Sequence, residues 1–389
     1  MKKLGSQMKI TKSVVIIGPA FPLRGGGLST FNERLAREFN NQGYKTQIYT
    51  FSLQYPSFLF PGTSQYSTDV APKDLDIKVC INSINPFNWI KVGMELSKLK
   101  PDLIVVRFWI PFMGPCLGTI LRFVRKNQHT RIVCIADNII PHEKRFGDNL
   151  LTKYFIKPIH AFITMSENVF SDLRKFEPIK PAILVNHPLY DNFGAIVPKT
   201  EARNHLQLQI DKKIILFFGF IRHYKGLDLL IEAMADQRVK DAEIVLLVAG
   251  EFYKDPKPYL EQIKHLGLEK SIILKTQFIQ DDEVRYYICA SDLVVQPYRS
   301  ATQSGVTPLA YHFEKPMLVT NVGGLPMMVP NGKVGLVAEP NPKSLADSIL
   351  EYFKRGEEYF LPNLKEEKTK YSWDIFLEKT IALAKESKV

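Results

Sequence analysis

The chain has 389 residues, a length typical of two domains. Hydrophobic residues make up 45% and charged residues 23%, ordinary values for a globular protein with a sizeable core, so disorder, collagen-like repeats and a disulfide-stapled miniprotein are excluded. The four cysteines are scattered, without a CxxC pair or clustered histidines, which favours a reducing cytoplasm and gives no support to a structural zinc site.

The net charge of +11 is unevenly distributed along the chain. Residues 1–190 contain 25 Lys and Arg against 13 Asp and Glu, a net +12, and residues 191–389 therefore hold 26 against 27, a net −1. Two interpretations stay open: a generically basic surface, or a face that meets phosphates or anionic lipid headgroups. A nucleic-acid partner is disfavoured, because no zinc finger, RNA-recognition motif or basic-helix pattern occurs.

No stretch of the sequence predicts a membrane-spanning helix or a signal peptide. The best uncharged apolar run, residues 108–121, is too short and contains Pro111 and Pro115. The apolar run at residues 13–18 is typical of a first β-strand, and no small-residue cleavage site follows it. We therefore expect a cytoplasmic protein whose membrane contact, if it has one, is peripheral.

Short β-branched runs alternate with helix-length amphipathic stretches along the whole chain. The predicted strands are residues 13–18, 46–51, 102–108, 131–137, 161–166 and 182–186, and then 213–220, 243–250, 271–279, 292–298, 316–322 and 334–339. Strands without polar alternation, separated by helices, favour parallel sheets covered on both faces. The pattern predicts an α/β protein with two Rossmann-like domains facing a central cleft, where the carboxyl ends of both sheets can share a ligand.

The predicted domain boundaries follow from a break in this pattern. Prolines and polar residues interrupt it at residues 186–211, where we expect the interdomain linker. The prediction is an N-terminal domain of residues 1–190 and a C-terminal domain of residues 191–370. A last helix within residues 371–389 is expected to pack back on the N-terminal domain.

Three segments have residue types suited to anion binding. RGGGLSTF, residues 24–31, lies between a strand and a helix, so its glycines allow close backbone approach to a ligand or form a simple tight turn. GFIRHYKGLDLLIEA, residues 219–233, carries Arg222 and Lys225 before a helix, where they suit a pyrophosphate or are solvated loop charges. In residues 298–324, the sequence TQSG precedes a predicted helix, where it caps the helix or donates to a diphosphate and a sugar.

These segments together resemble a known family. GPAFPLRGGGLSTF, FGFIRHYKGLDLLIEAM, the strand followed by TQSG, and EKPMLVTNVGGLP occur in the order and spacing of family 4 of the retaining glycosyltransferases, which have two Rossmann-like domains (the GT-B fold). The resemblance covers nearly the whole chain and includes the final helix with Trp373. It implies that the C-terminal domain binds a nucleotide-sugar as substrate and that the N-terminal domain binds the acceptor, with no cofactor and no metal.

The resemblance also implies roles for individual residues. Arg222 and Lys225 would contact the donor diphosphate and stabilise its charge. The other implied donor-binding residues are Gly26, Gly27, Glu251, Phe278, Ile279, Thr302, Gln303, Ser304, Gly305 and Val306. Of these, the residues at 251, 278 and 279 would line the nucleoside pocket, and those at 304 to 306 would offer backbone N–H groups to the phosphates.

One departure from the family pattern concerns two glutamates that are usually eight positions apart around the TQSG loop. Residues 284–313 contain no Glu. Thr302 and Gln303 occupy the first position and Leu309 or Ala310 the second, so the ribose must be held differently, although Gln303 can still hydrogen-bond sugar hydroxyls. A non-catalytic relative that only binds a nucleotide-sugar therefore stays an alternative.

In the N-terminal domain, relatives often have a His–Asp pair near the end of the strand at residues 131–137. This chain has Asp137 there and His142 five residues later. Either side chain can take the acceptor proton if it lies within hydrogen-bond reach; otherwise Asp137 caps a turn and His142 stabilises a loop. We accordingly predict Asp137 and His142 as catalytic residues, together with Arg222 and Lys225.

Residues 46–68 contain no charge but many aromatic side chains. These aromatic residues are Tyr49, Phe51, Tyr55, Phe58, Phe60 and Tyr66. The first part is the second predicted strand, and the remainder is a long loop. Burial in the core is one interpretation, and contact with an acceptor or a membrane interface is the other, because aromatic rings favour sugar faces and headgroup boundaries.

We predict a retaining, hexosyltransferase-type enzyme that moves a sugar from a nucleotide-sugar to a hydroxyl acceptor in cell-surface polysaccharide or glycolipid biosynthesis. A glycan or lipid-linked acceptor is expected, guided by Lys144, Arg145, Lys153 and Lys157 unless these residues form a solvated helix face. A nucleotide-sugar epimerase and a non-catalytic binding partner are the alternatives. Docking of the basic first half on the anionic cytoplasmic face of a membrane is a further expectation.

Overall fold

The computed structural model describes residues 12–24, 27–56, 65–67, 70–141, 145–301 and 304–387. The chain divides into two compact units. Unit 1 is formed by the described residues up to Asn186 together with those from Trp373 onward, and unit 2 extends from His187 to Ser372. The predicted linker at residues 186–211 is wrong in extent, because its residues from His187 onward belong to unit 2 and include a helix.

Unit 1 is built on a parallel sheet that has seven strands within the described part of the chain. The strands are β1 (Ser13–Ile17), β2 (Lys45–Leu53), β3 (Asp76–Asn82), β4 (Leu103–Phe108), β5 (Arg131–Ala136), β6 (Ala161–Thr164) and β7 (Ala182–Leu184). They lie in the order β3-β2-β1-β4-β5-β6-β7. The central strands are buried on both faces and mostly apolar, as expected for parallel strands between two helical layers.

Helices cover both faces of this sheet. The first five are α1 (Gly27–Asn41), α2 (Pro86–Leu99), α3 (Gly114–Arg125), α4 (Asp148–Ile156) and α5 (Glu167–Phe176). Val14 and Ile16 of β1 share a core with side chains of α1, whereas Val15 and Ile17 share the opposite core with side chains of α2 to α5. Successive strand residues point to opposite faces, so α1 lies on one face and α2 to α5 on the other.

Unit 2 repeats this architecture with a parallel sheet of six strands among its described residues. They are β8 (Lys213–Phe218), β9 (Ile244–Ala249), β10 (Ile272–Lys275), β11 (Leu293–Gln296), β12 (Met317–Thr320) and β13 (Gly335–Ala338), in the order β10-β9-β8-β11-β12-β13. Its helices are α6 (Lys199–His205), α7 (Leu227–Met234), α8 (Gln237–Asp241), α9 (Lys257–His265), α10 (Val284–Ala290), α11 (Val306–His312), α12 (Leu325–Met328), α13 (Pro342–Arg355) and α14 (Glu357–Lys368). All six strands predicted in this half are present.

The last helix, α15 (Trp373–Glu386), belongs to unit 1. The ring centroid of Phe31 on α1 lies 4.9 Å from that of Trp373 and 5.5 Å from that of Phe376, both edge-to-face. The Arg34 guanidinium lies 5.0 Å from the Trp373 ring centroid. The prediction that the C-terminal helix returns to the first domain is confirmed. None of the helices in the described part of the chain combines the length and the hydropathy that a membrane-spanning segment needs.

Candidate functional site

The predicted donor-binding residues of unit 2 lie on loops at one edge of its sheet. Because all its strands are parallel, the loops that follow β8 to β12 begin at the same edge, where ligands bind in open α/β sheets. The predicted residues that the structure describes there are Arg222, Lys225, Glu251, Phe278, Ile279, Ser304, Gly305 and Val306. Thr302 and Gln303, like Gly26 and His142 of unit 1, lie outside the described residues.

The loop from β8 to α7 has a backbone shape that requires glycine at both ends. Gly219 follows β8 with φ +93°, and Gly226 precedes α7 with φ +68°. A Cβ at position 226 would overlap with the carbonyl oxygen of Pro297, so no other residue fits there. The sharp turn at Gly226 brings Lys225 back over the end of β8, since a Cβ on Gly219 would lie 3.3 Å from the Lys225 Nζ.

Arg299 holds this loop in place from the β11 side. Its guanidinium donates two hydrogen bonds to the Asp228 carboxylate, both 2.6 Å long, and a third of 3.1 Å to the carbonyl of His223. The Arg299 backbone N–H donates to the carbonyl of Tyr224 at 2.7 Å. A bidentate pair with two added backbone contacts fixes the position of the loop that carries Arg222 and Lys225.

Arg222 and Lys225 form a cationic pair that no carboxylate neutralises within the described residues. The guanidinium of Arg222 is exposed and lies 3.9 Å from the ring centroid of Tyr253, and the Nζ of Lys225 is half-buried, 5.6 Å from that of Tyr298. Burial, with a smaller contribution from the Arg222 charge, lowers the pKa of Lys225 to about 8. Two adjacent cations, one of which has its charged form destabilised by burial, favour the binding of an anion.

The loops after β8 and β9 run side by side. Gly219 donates its N–H to the carbonyl of Ala249 at 2.9 Å, and Ile221 donates to the carbonyl of Glu251 at 2.8 Å. A return bond of 3.1 Å runs from the Tyr253 N–H to the carbonyl of Ile221. The Glu251 side chain is exposed at this edge, so it is available to a ligand.

On the loop after β10, Phe278 is 45% exposed and Ile279 packs against the unit 2 core. An exposed ring beside a partly buried aliphatic side chain is suited to stacking against a base, the role that the resemblance implies for them. Phe278 and Ile279 remain predictions for the nucleoside pocket.

The segment before α11 is held together by its own hydrogen bonds. The Ser304 Oγ lies 3.2 Å from the buried Tyr298 hydroxyl and accepts the Val306 N–H at 3.2 Å. The Val306 N–H is therefore occupied in this conformation rather than open to a phosphate. Leu309 and Ala310 are buried in the unit 2 core, so the position at which the resemblance implies a second glutamate holds no polar group.

In unit 1, Asp137 forms a buried ion pair with a residue that the sequence interpretation missed. Arg107 of β4 is 3% exposed, and its Nε and Nη2 each donate to one Asp137 carboxylate oxygen at 2.6 Å. Burial raises the pKa of Asp137, and the Arg107 charge opposes this rise. The structure therefore shows Asp137 as the ion-pair partner of Arg107, and its catalytic role stays a prediction.

A pocket of about 370 Å³ opens at the carboxyl ends of β4 and β5. Its lining is mostly apolar and aromatic and includes a few polar groups. The lining residues are Trp109, Ile110, Pro111, Phe112, Asn138, Pro141, Arg145, Phe146, Asp148 and Leu151. Tyr55 supports one wall, because its hydroxyl accepts a 2.7 Å hydrogen bond from Trp109 Nε1 and its ring stacks on Phe112. Such a lining is typical of a small-molecule site.

Other predicted residues of unit 1 have varied surroundings. Tyr49 and Phe51 are buried in β2, and the Tyr66 hydroxyl donates to the carbonyl of Ser52 at 2.6 Å. Gly27 is the exposed first residue of α1. Phe58, Phe60 and Lys144 lie outside the described residues. In the described part of the chain, no group of three His, Cys, Asp or Glu residues could hold a metal ion.

Comparison with known proteins shows the family. The family described as "Glycosyl transferases group 1" matches residues 198–367. An uncharacterized glycosyltransferase of Methanocaldococcus jannaschii, MJ1178, is 32% identical over 293 residues, which are 74% of this chain and 76% of that relative. The chain belongs to the group 1 glycosyltransferases. A second glycosyltransferase of that organism, MJ1607, is 29% identical over 194 residues, which are 48% of this chain and 48% of that relative.

Solved structures agree with this glycosyltransferase in fold. The structure of Anabaena Alr3699/HepE in complex with UDP and glucose has a TM-score of 0.69 at 15% identity, and the match covers 95% of this chain and 98% of that chain. At this identity the likeness concerns the fold alone. The predicted α/β, GT-B class with two Rossmann-like units is confirmed.

Proposed function

We propose that this glycosyltransferase moves a hexosyl group from a nucleotide-sugar to a hydroxyl acceptor and retains the configuration at the anomeric carbon, as in family 4. The observation that carries this proposal is the cationic pair of Arg222 and Lys225 at the ligand-binding edge of unit 2. Neither cation has a carboxylate partner among the described residues, and the burial of Lys225 makes its charge costly until an anion binds. A sugar diphosphate supplies that anion.

The cationic pair also suits the chemistry of transfer. Breaking the bond between the anomeric carbon and the diphosphate oxygen adds negative charge to the leaving group, and Arg222 and Lys225 stabilise this charge. The acceptor oxygen forms its bond to the same face of the anomeric carbon. Its proton passes to a leaving phosphate oxygen, so no carboxylate nucleophile is required. Asp137 and His142 stay predictions as alternative proton acceptors.

The double variant Arg222→Ala/Lys225→Ala tests the donor site. We expect transfer to fall by at least a hundredfold, because each lost charge-assisted contact to the diphosphate weakens transition-state stabilisation. The matched control is Lys264→Ala/Lys270→Ala, which removes two exposed lysines far along the chain in the same unit. Equal transfer by the double variant and its control would refute the assignment.

The donor is identified by thermal shift against UDP-, GDP-, ADP- and dTDP-sugars, because a ligand that binds only the folded protein raises its melting temperature. UDP is the first probe, since HepE, of similar fold, was solved with UDP. Glu251, Phe278 and Ile279 are proposed to contact the nucleoside. Substituting Phe278 by Ala should then reduce the thermal shift of the nucleotide and leave that of pyrophosphate unchanged.

We assign the acceptor to unit 1, with its aromatic pocket as the candidate subsite. Trp109 and Phe112 offer rings to a sugar face or an apolar group, and Arg145 offers a cation to a phosphate. A glycan or lipid-linked acceptor of cell-surface polysaccharide or glycolipid biosynthesis fits this lining. We further propose a cytoplasmic enzyme that works without a metal or other cofactor and touches the anionic membrane peripherally.

A non-catalytic nucleotide-sugar-binding protein is the second candidate, because Leu309 or Ala310, both buried, occupies the position where the family pattern implies a glutamate. Nuclear magnetic resonance distinguishes the two. Transfer with retention gives a product whose anomeric coupling matches that of the donor sugar. Donor binding without transfer or hydrolysis across a broad acceptor panel favours the second candidate, and conversion of the donor without an acceptor indicates an epimerase.

A further inference from the structure

Helices α2, α3 and α4 form one continuous layer on unit 1. Glycines allow them to lie close together: a Cβ on Gly93 of α2 would lie 2.8 Å from the Phe123 Cβ of α3. A Cβ on Gly114 of α3 would lie 2.5 Å from the Leu151 carbonyl oxygen, and one on Gly118 would lie 2.9 Å from the Tyr154 ring. The inner sides of the three helices share the core with the sheet, and their outer sides form the surface that we call the α2–α4 face.

The outward face of α2 carries apolar side chains between its lysines, where the exposed face of a helix is normally polar. The exposed residues Phe87, Ile90, Lys91, Met94 and Lys98 recur at the three- and four-residue spacing of one helix face. Phe87 is 83% exposed, so its ring protrudes into solvent rather than packing on the core. Val92 and Leu96, on the other side, account for the ordinary burial of the helix. The apolar part of this outward face is thus additional to what folding requires.

Helix α4 continues this pattern across α3. Leu150 is 71% exposed, and Tyr154 is partly exposed on the same side. Lys153 and Lys157 accompany them, and Phe146, on the loop before the helix, is fully exposed. Single protruding apolar side chains between lysines, rather than an apolar groove, are suited to insertion at a lipid interface.

The charge of the α2–α4 face is almost entirely positive. Residues 84–100, 114–126 and 145–157, all of them described, contain nine basic and two acidic residues. Both acidic residues are engaged: Glu95 accepts from Lys78 and from the Tyr49 hydroxyl at 2.5 Å each, and Asp148 accepts the Arg145 N–H at 2.7 Å. On the opposite face, α15 carries charges of both signs: its exposed charged residues are Asp374, Glu378, Lys379, Lys385 and Glu386.

We propose that the α2–α4 face docks on an anionic lipid bilayer, with Phe87, Ile90, Met94 and Leu150 inserted among headgroups and the lysines over acidic lipids. Charge complementarity selects this occupant, since basic residues near an acidic membrane surface each add attraction that salt screens. The aromatic pocket borders this face through Arg145 and Phe146. Resting on the proposed transfer, docking brings a lipid-linked acceptor to that pocket; docking itself holds whether or not transfer occurs.

Vesicle cosedimentation tests this proposal with the full chain. The probes are vesicles of phosphatidylcholine and vesicles in which roughly one third of it is replaced by phosphatidylglycerol. We expect binding only to the anionic vesicles, and a steep loss as NaCl rises from about 0.05 M to about 0.5 M. Equal binding to both kinds of vesicle, or none at low salt, overturns the proposal.

Two variants locate the surface. Lys91→Gln/Lys98→Gln/Lys153→Gln/Lys157→Gln should lower the partition coefficient at least tenfold, and Phe87→Gln/Ile90→Gln/Met94→Gln should lower it severalfold without removing the salt dependence. The matched charge control, with the same number of exposed lysines changed elsewhere, is Lys264→Gln/Lys270→Gln/Lys379→Gln/Lys385→Gln. The matched apolar control is Ile179→Gln/Ile210→Gln/Leu260→Gln.

The outcome separates docking from the proposed function. All variants should keep the melting temperature and the thermal shift given by UDP, because the changed side chains are exposed and the nucleotide site lies in unit 2. A control variant that loses binding as strongly as its test variant overturns the location. If the protein does not bind vesicles but keeps its thermal shift with UDP, docking is refuted and the transferase proposal is unaffected. If it binds vesicles but shows no thermal shift with any nucleotide, the transferase proposal is weakened and docking is unaffected.

Discussion

Lys225 should take up a proton when a nucleoside diphosphate binds above pH 8. In the free protein its pKa is about 8, because burial and the nearby Arg222 charge disfavour the ammonium form. A bound diphosphate supplies the missing counter-charge and raises the pKa of Lys225 back toward the ordinary 10.5. Between these two values the complex holds a proton that the free protein lacks, so binding weakens as pH rises.

The size of this effect follows from the two pKa values. At pH 8.5 about one quarter of free Lys225 is protonated, whereas nearly all of it is protonated in the complex, which gives an uptake of about 0.75 proton per ligand. At pH 7 the uptake should fall to about 0.1. The dissociation constant should be about twentyfold higher at pH 9.5 than at pH 7.5.

Isothermal titration calorimetry measures the uptake directly. The ligand is whichever of UDP, GDP, ADP and dTDP gives the largest thermal shift, titrated at pH 8.5 in two buffers of different ionisation enthalpy, where the phosphates are fully deprotonated. Lys225→Arg is the matched control, since it keeps the charge but does not titrate. Arg222→Gln should raise the pKa of Lys225 in the free protein and so reduce the uptake. Equal uptake by the wild type and Lys225→Arg would refute the reasoning.

Three further predictions concern contacts described above. Arg299→Lys should raise the dissociation constant of the nucleoside diphosphate about tenfold, because a lysine cannot make the bidentate bond to Asp228 that fixes the loop from β8 to α7. An unchanged affinity in calorimetry would contradict this prediction. Arg107→Met should cost about 3–5 kcal/mol of unfolding free energy at neutral pH by leaving the Asp137 carboxylate buried and unpaired. Loss of Arg107 raises the pKa of the Asp137 carboxyl further, so urea titrations should show a smaller loss of unfolding free energy at about pH 5 than at neutral pH. The double variant Arg107→Met/Asp137→Asn should recover much of the unfolding free energy lost at neutral pH. Gly118→Ala should lower stability by about 1–3 kcal/mol, because the added Cβ meets the Tyr154 ring; an unchanged melting temperature would contradict the close packing of α3 on α4.

The sheets were predictable because most of their strands are continuous apolar runs. KIILFF of β8 and IVLLVA of β9 are typical of strands buried on both faces. Strand β3 escapes this criterion. Its sequence DIKVCIN mixes polar and apolar residues, and most of it is exposed or only partly buried, because among the described strands it pairs with β2 alone, at the edge of the sheet. A strand at the edge of a parallel sheet therefore lacks the continuous apolar run by which the central strands are recognised.

The candidate site was predictable on unit 2 and much less so on unit 1. Arg222 and Lys225 stand on a loop between a clear strand and a clear helix, so topology alone brings them to the ligand-binding edge. Arg107 lies inside the apolar run LIVVRF and is hidden by it. A usable signal exists: Arg107 is in register with Ile135 on the neighbouring strand, two residues before Asp137. Opposite charges near the ends of consecutive strands therefore predict a buried pair.

The aromatic pocket could not be read from sequence, because its walls come from segments far apart in the chain. Trp109 follows β4, Pro141 follows β5, and Tyr55, which supports the wall, follows β2. Each segment alone is an ordinary loop with an aromatic or a proline. Only the order of the strands, which places β4 and β5 side by side, assembles them.

The paired loops after β8 and β9 have a consequence for engineering donor preference. A Cβ on Gly250 would overlap with the carbonyl oxygen of Gly219, and backbone hydrogen bonds link the two loops as far as Tyr253. The Arg222 guanidinium lies over the ring of Tyr253, so the group that we propose to bind the diphosphate is carried by one loop and packs on the other. Replacing only one of the two loops with that of another enzyme would disrupt the backbone hydrogen bonds that join it to the other loop. Recombination should therefore exchange residues 219–226 and 250–253 together, as one cassette.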